Sequence, residues 1–198
     1  MSETEKTSVS RRALLQTAAW TVPAVAVAAA APFASASGEV VVPPPPVIEF
    51  GGACGNTGAT QKGCGGDKTL QVPLTLTNQT GSDVVFQITG MFTCNCATAP
   101  TGPGAGVVSG VRGVWKTTGA HNACTATTQS ACTGGVPGGS VLLLDGTVGQ
   151  KYWIESNSLG SSSSFSTTIN WRMLAAGTCE VLSEGTAQTA SAISPANC

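Results

Sequence analysis

Eight cysteines are the side chains of this sequence with the clearest capacity for chemistry. Zinc is one use for them, but structural zinc sites take cysteines in pairs with two to four residues between them. The closest neighbours here are separated by nine, one and seven residues. An even number of cysteines in an exported chain instead indicates disulfide bonds. We therefore expect disulfides and no bound metal. The full set is Cys54, Cys64, Cys94, Cys96, Cys124, Cys132, Cys179 and Cys198.

Spacing gives a first hypothesis for the disulfide pairing. Two local bridges are expected at the ends of Gly- and Thr-rich stretches, namely Cys54–Cys64 and Cys124–Cys132. Cys94 and Cys96 share one face of a predicted strand and point away from bonding with each other. Each should therefore reach a distant partner, which leaves Cys179 and Cys198 in either order.

Other groups with catalytic capacity are few. The single histidine, His121, lies in a polar loop, and no Gly-x-Ser-x-Gly motif supplies a nucleophile beside it. The spacing of Asp145 and Glu155 gives no support to a glycosidase pair. We see neither the acidic repeat of a calcium loop nor a phosphate-binding glycine motif. We therefore expect no catalytic residue and no cofactor, and a small secreted hydrolase is the weakest functional hypothesis.

Aromatic side chains are better candidates for a binding site. In the segment 151–155, strand alternation places Tyr152 and Ile154 on one face and Trp153 on the other. If the first two face the core, Trp153 faces solvent, where an indole ring is able to contact a sugar or a partner protein. The alternative is a Trp153 covered by a neighbouring loop. Trp115 is the second candidate for ligand contact.

The elements that position these residues are predicted to be strands. Residues 70–77 and 84–89 alternate apolar and polar side chains, and the turn-forming segment between them predicts a hairpin. Pro73 lacks an amide donor, so the first strand should lie at an edge or pair on one side only at that point. Trp171 is expected in the core. Further strands are predicted at 47–50, 107–116, 140–144, 151–156, 164–174 and 179–182.

This pattern of short strands has consequences for the fold class. The chain has seven or eight predicted strands separated by turn signals, and its body lacks a convincing helical stripe. We therefore predict an all-β fold, an antiparallel Greek-key, immunoglobulin-like sandwich stabilised by disulfides.

The first 36 residues have the organisation of an export signal. Ser10-Arg11-Arg12 precedes an uncharged Ala- and Val-rich run at 13–31, and small residues follow at 34–36. The run is nearly long enough to span a bilayer, but its weak hydrophobicity and Pro23 favour a cleaved signal over an anchor. Four consecutive prolines then form either a stiff spacer or the lead-in to the first strand. The predicted domains are a signal peptide (1–36), a Pro-rich linker (37–46) and a sandwich (47–198).

The signal also carries a family resemblance. Ser10–Leu15 resembles a twin-arginine export signal, with Leu14 where that signal most often has Phe and Gln16 where Lys is common. The ordinary secretory route is the alternative. With Trp20-Thr21-Val22-Pro23, the chain resembles exported β-sandwich surface proteins of Gram-positive actinobacteria, most of which lack an assigned activity. The resemblance implies an extracellular or cell-surface location and transfers no functional residue.

Low charge restricts the choice of partner. Only 10% of the residues are charged, against about 25% in an average globular protein, and the formal net charge is −1. A basic surface for nucleic acid is therefore not expected. Our first hypothesis is a non-enzymatic structural or adhesion-type domain that contacts cell-wall glycan or another surface protein, with no stable membrane anchor after cleavage. The alternative is a carbohydrate-binding module that uses exposed aromatic residues.

Overall fold

A computed structural model describes residues 41–55, 68–117, 124–127, 132–160, 164–194 and 196–197. The predicted signal peptide, residues 37–40 of the linker, His121, Cys64, Cys198 and the side chain of Cys124 lie outside this description. Within the described residues, no helix has both the length and the hydrophobicity needed to cross a membrane.

The described part of the chain forms twelve strands and one short 3-10 helix, Phe50–Gly52. In chain order the strands are β1 (Val47–Ile48), β2 (Cys54–Gly55), β3 (Leu70–Asn78), β4 (Val84–Cys94), β5 (Val107–Ser109), β6 (Val111–Thr117), β7 (Cys124–Ala126), β8 (Ser140–Leu143), β9 (Thr147–Ser156), β10 (Ser166–Ala175), β11 (Val181–Gln188) and β12 (Ala196–Asn197).

The strands form two sheets. The larger sheet has the order β12-β2-β3-β9-β6-β7, with β1 also pairing to β3. The smaller sheet has the order β11-β10-β4-β5, with β8 also pairing to β4. All pairs are antiparallel except the short contact of β2 with β12. The prediction of an all-β antiparallel sandwich is therefore confirmed.

The hydrophobic core consists of the alternating apolar side chains of both sheets. From the larger sheet, the leucine and valine side chains of β3 are at most 1% exposed, and Ile154 of β9 is fully buried. From the smaller sheet, Phe86, Ile169 and Met173 are fully buried in the same cluster. Trp171 belongs to this cluster too, as expected. Burial of these side chains away from water is the main stabilising contribution to the sandwich.

The hairpin predicted for residues 70–89 is wrong. β3 pairs with β9 and β4 pairs with β10, so the turn between β3 and β4 carries the chain from one sheet to the other. Asn78 holds this corner, because its buried Nδ2 donates to the backbone oxygens of Ser82 (2.9 Å) and Leu143 (3.0 Å). Its Oδ1 accepts a hydrogen bond from the backbone N–H of Thr80. Alternation shows that a strand has a buried face but does not identify its neighbour.

Pro73 lies where one side of the ladder is interrupted, as the missing donor requires. On one side it is the register partner of Trp153. On the other side β2 pairs with β3 before this point and β1 pairs with it after, while the 3-10 helix lies between them in sequence. The backbone oxygen of Pro73 accepts a hydrogen bond of 3.0 Å from the N–H of Glu49.

A segment with two pairs of adjacent glycines, residues 132–139, crosses the outer face of the smaller sheet. We call it the glycine strap. Two side chains on that face hold it: Gln87 Nε2 donates to the oxygen of Cys132 (3.0 Å), and the guanidinium of Arg172 donates to the oxygen of Thr133 (2.7 Å). Arg172 also donates to Gln87 Oε1 (2.8 Å). The strap therefore satisfies polar side chains on this face.

The second half of the glycine strap joins the two sheets. Ile88 of β4 exchanges backbone hydrogen bonds of 2.8 Å with Val136 and Gly139, and Val114 of β6 donates to the oxygen of Gly138. Gly138 has φ +75°, and a Cβ there would lie 3.0 Å from the backbone oxygen of Arg112. Glycine is needed at this position because any side chain would be both strained and crowded.

The disulfides correct part of the predicted pairing. Cys132 is bonded to Cys179, with Cα atoms 5.5 Å apart, so the predicted Cys124–Cys132 bridge and the use of Cys179 by Cys94 or Cys96 are wrong. The strap carries Cys132 across the smaller sheet toward the turn between β10 and β11, which sequence spacing does not reveal. Cys94 and Cys96 lie within disulfide distance of each other, with Cα atoms 5.4 Å apart, so the prediction that they point apart and each reach a distant partner is wrong. β4 ends at Cys94, so strand alternation does not extend to Cys96.

Cys54 is also disulfide-bonded. The predicted Cys54–Cys64 bridge involves a residue outside the described part of the chain and stays a prediction. Disulfide bonds indicate an oxidising, extracellular environment, because thiols are kept reduced in the cytosol.

Candidate functional site

The outer face of the larger sheet carries a row of flat side chains. Trp115 of β6 and Trp153 of β9 are direct register partners, and Pro73 of β3 pairs with Trp153 from the other side. Register partners project to the same face of a sheet. Tyr152 and Ile154, which flank Trp153, are buried in the core, so this face points away from it. Both tryptophans are partly exposed. We call these three residues the Trp row.

The ring of Trp115 is held against the sheet. A Cβ at Gly113, two residues earlier on the same face, would lie only 2.6 Å from Cζ2 and 2.8 Å from Cε2 of the indole. The ring therefore occupies the space that a side chain at Gly113 would fill. Its Nε1 donates a hydrogen bond of 2.9 Å to Oε2 of Glu155. The glycine and the carboxylate together fix the orientation of this ring.

Glu155 is a fully buried carboxylate on the outer face of the larger sheet. Its Oε1 accepts a hydrogen bond of 2.9 Å from the hydroxyl of Thr69, and its Oε2 accepts the bond from Trp115. Gln71, its register partner on β3, is also fully buried, and its Nε2 has no hydrogen-bond partner among the described residues. Burial of a carboxylate is costly without such donors. Glu155 is thus a positioning residue for the Trp115 ring. Strand alternation in the sequence places Glu155 on the same face as Trp153, but it does not reveal the hydrogen bond to Trp115.

An open groove of about 600 Å³ lies beside Trp153. Trp153 and Pro73 contribute flat surfaces to its wall, while Glu49, Lys151 and Thr75 contribute polar groups. Glu49 and Lys151 are exposed. Trp115 does not line this groove, so the two predicted contact residues are neighbours on one face but only Trp153 reaches the groove. A ligand here meets a flat ring together with both hydrogen-bond donors and acceptors.

A smaller pocket of about 260 Å³ has a wall formed partly by Tyr152, Lys116 and Leu144. Burial raises the pKa of the Tyr152 hydroxyl above its ordinary value. Leu144 is 60% exposed at the rim. The pocket therefore combines polar and apolar side chains and has less volume than the groove beside Trp153.

Asp145 and Glu155 lie at opposite ends of β9. Asp145 is in the turn before the strand, where its Oδ1 accepts a hydrogen bond from the N–H of Gly81 and its own N–H donates to Asp83. At about 3.3 Å per residue, the length of β9 separates the two carboxylates by about 25 Å. Glycosidase pairs lie within about 10 Å of each other. These two carboxylates do not form such a pair.

Among the residues that the structure describes, no group of three or more His, Cys, Asp or Glu side chains is placed to hold a metal ion. Comparison with protein families, with curated proteins and with solved structures gives no match for this chain. The Trp row and its groove are the part of the described surface that best fits a binding site.

Proposed function

We propose that this protein is exported through its N-terminal signal and acts outside the cell as a non-enzymatic, adhesion-type domain that binds glycan. The observation that carries the proposal is the Trp row with the groove beside Trp153. This combines the alternative hypothesis of a carbohydrate-binding module with that of an extracellular adhesion domain. Cell-wall glycan is the expected partner, and another surface protein is the competing one.

The chemistry of the groove favours a sugar over a protein partner. Sugar rings present C–H faces that pack on aromatic rings and hydroxyl groups that both donate and accept hydrogen bonds. The groove supplies the indole of Trp153, the carboxylate of Glu49, the ammonium of Lys151 and the hydroxyl of Thr75. A few placed polar groups beside an apolar surface are typical of small-ligand sites.

Export is supported by two independent features. Ser10–Leu15 resembles a twin-arginine signal, and the ordinary secretory route remains the alternative. The Cys132–Cys179 disulfide requires an oxidising compartment, which lies outside the cytosol. A non-enzymatic role is supported by the scarcity of acid–base groups in the sequence and by the wide separation of Asp145 and Glu155.

Polysaccharide pull-down tests the proposal. Full-length protein is secreted from its own signal, and the purified product is incubated with insoluble cell-wall glycan, cellulose and chitin. We expect binding to at least one of these, which Trp153→Ala abolishes. Phe92→Ala is the matched control, because Phe92 is a partly exposed aromatic on the outer face of the smaller sheet.

The outcomes separate the two partner classes. Binding that survives in Phe92→Ala and is lost in Trp153→Ala supports the proposal. If the folded wild-type protein binds none of the polysaccharides, the glycan function is wrong, and a protein partner becomes the better hypothesis.

A further inference from the structure

The direction of the Trp row suggests which kind of glycan it fits. Trp115, Trp153 and Pro73 belong to three adjacent strands, so the row runs across the strands. Neighbouring strands are about 4.8 Å apart, so the backbone span from Trp115 to Pro73 is about 10 Å. One strand spacing is comparable with the length of one pyranose ring in an extended polysaccharide. The backbone positions of the row are therefore spaced like consecutive rings of one chain.

The first ring position of this row is rigid before any ligand binds. The Trp115 indole lies over Gly113, and its Nε1 is bonded to the buried carboxylate of Glu155. Glu155 is in turn bonded to Thr69. A surface that is already ordered loses little conformational entropy on binding, which favours affinity.

The groove at the other end of the row selects by charge. Glu49 and Lys151 contribute one carboxylate and one ammonium to the same groove, and no other charged side chain is among the described residues that line it. The charges of these described residues therefore sum to zero. An acidic polysaccharide is repelled by Glu49 and attracted by Lys151 and so gains no net attraction, whereas a neutral one finds an acceptor and a donor for its hydroxyl groups.

We infer that the ligand is a neutral polysaccharide that lies across the strands, with consecutive rings on Trp115 and Trp153 and the next ring in the groove between Glu49 and Lys151. The inference rests on the proposed function. Three rings fill the site.

Calorimetric titration with oligosaccharides of increasing length tests this inference. The probes are cello- and N-acetylated chito-oligosaccharides of one to six rings, with oligogalacturonides as the acidic series. We expect affinity for one neutral series to rise by at least about tenfold from one ring to three and then level off, and the acidic series not to bind. Truncation of a central aromatic contact typically costs at least this factor.

Variants locate the third ring. Glu49→Ala should weaken trisaccharide binding more than disaccharide binding, because only the ring in the groove reaches Glu49. Glu184→Ala is the control, since Glu184 is an exposed carboxylate on β11 of the other sheet. Trp115→Phe keeps an aromatic ring but loses the hydrogen bond to Glu155, and it should weaken the binding of both the disaccharide and the trisaccharide.

Failure of the inference is distinguishable from failure of the proposed function. Equal affinity for one ring and six rings, or equal binding of the acidic series, overturns the inference while glycan binding stands. Absence of binding to every oligosaccharide and polysaccharide, in protein whose fold is verified by circular dichroism, overturns both. If Glu49→Ala weakens disaccharide and trisaccharide binding equally, the assignment of the groove to a third ring is wrong.

Discussion

The two outer faces of the sandwich differ in what occupies them. On the smaller sheet the glycine strap lies across Gln87 and Arg172 and accepts their hydrogen bonds. On the larger sheet the Trp row remains partly exposed and an open groove adjoins Trp153. Glycine is required on both faces, but for opposite purposes. The strap glycines let backbone approach the sheet, whereas Gly113 lets a side chain lie flat on its own strand.

This difference indicates which face is structural and which is available for contact. Polar side chains covered by the chain's own backbone contribute to stability, because their hydrogen bonds are shielded from water. A rigid aromatic surface next to open space contributes little to stability and much to recognition. Changes to the strap should therefore lower the free energy of unfolding, and changes to the exposed part of the Trp row should lower ligand affinity. Four predictions test the stability side of this comparison, in the strap and in the larger sheet.

Loss of the Cys132–Cys179 disulfide should have the largest effect. The bridge spans a sequence separation of 47 residues and anchors the start of the strap. The double variant Cys132→Ala/Cys179→Ala should lose about 4 kcal/mol of unfolding free energy, from the loop entropy that the bond removes from the unfolded chain. Urea unfolding measures the loss. The Cys94–Cys96 bridge closes a much shorter loop, with a sequence separation of 2 residues. Cys94→Ala/Cys96→Ala should therefore lower the free energy of unfolding by clearly less. Equal losses in the two double variants would contradict the structural role of the strap.

Crowding at Gly138 should have the next largest effect. Gly138 and Gly146 have the same φ, +75°, but a Cβ at Gly146 meets nothing within 4 Å while one at Gly138 meets the Arg112 oxygen at 3.0 Å. Gly146→Ala should therefore show the backbone strain alone, about 1 kcal/mol. Gly138→Ala should lose a further 1–3 kcal/mol, roughly the cost of overpacking. Urea midpoints compare the two variants, and similar midpoints would show that the strap tolerates a side chain.

Substitution of Glu155, the buried carboxylate of the larger sheet, should have an intermediate effect on the free energy of unfolding. In Glu155→Ala, Trp115 Nε1 and Thr69 Oγ1 both lose the oxygen that accepts their hydrogen bonds. We expect a loss of about 1–3 kcal/mol, the cost of an unsatisfied buried polar group. Glu184→Ala on the exposed edge should change the free energy of unfolding by less than about 0.5 kcal/mol. Urea unfolding monitored by tryptophan fluorescence measures both, and a loss no larger than that of Glu184→Ala would contradict the positioning role of Glu155.

The smallest predicted effect concerns Tyr152, the only tyrosine in the chain. Burial raises the pKa of its hydroxyl above the ordinary value of 10.0, so the folded protein keeps the proton to a higher pH than the unfolded chain does. Between these two pKa values only the unfolded chain is ionised, and the free energy of unfolding therefore falls as pH rises above about 10. Tyrosinate absorbance reads this single group directly.

Tyr152→Phe supplies the control for that titration. The variant should lack the tyrosinate signal and the part of the alkaline destabilisation that Tyr152 causes. Midpoints at or below the ordinary tyrosine value in the folded wild-type protein would show that the hydroxyl is solvated and not buried.

The sequence was sufficient for those features that depend on local backbone geometry. Period-two alternation placed Tyr152 and Ile154 in the core and Trp153 on the outer face, because successive side chains of any strand point to opposite sides. Pro73 was expected to pair on one side only, and the ladder is interrupted there for the same local reason. These predictions needed no knowledge of neighbouring strands.

Features that depend on distant partners were not predictable in this way. The corner after β3 is stabilised by Asn78 bonding to Leu143, 65 residues further along, so a local turn signal was mistaken for a hairpin. The Trp115–Glu155 hydrogen bond depends on the register of β6 against β9, which alternation alone does not determine. The Cys132–Cys179 bridge depends on the path of the strap across a sheet.

The corner at Asn78 has a consequence for producing the protein. Asn78-Gln79-Thr80 matches the acceptor sequence for N-linked glycosylation. Yet the Asn78 amide is buried and donates to two backbone oxygens at the junction of the sheets. An oligosaccharide attached to that nitrogen during synthesis would prevent the corner from closing, so modification and folding compete for the same atom. A eukaryotic secretory host should therefore yield misfolded glycoprotein, and a host without N-glycosylation is the appropriate source of native material.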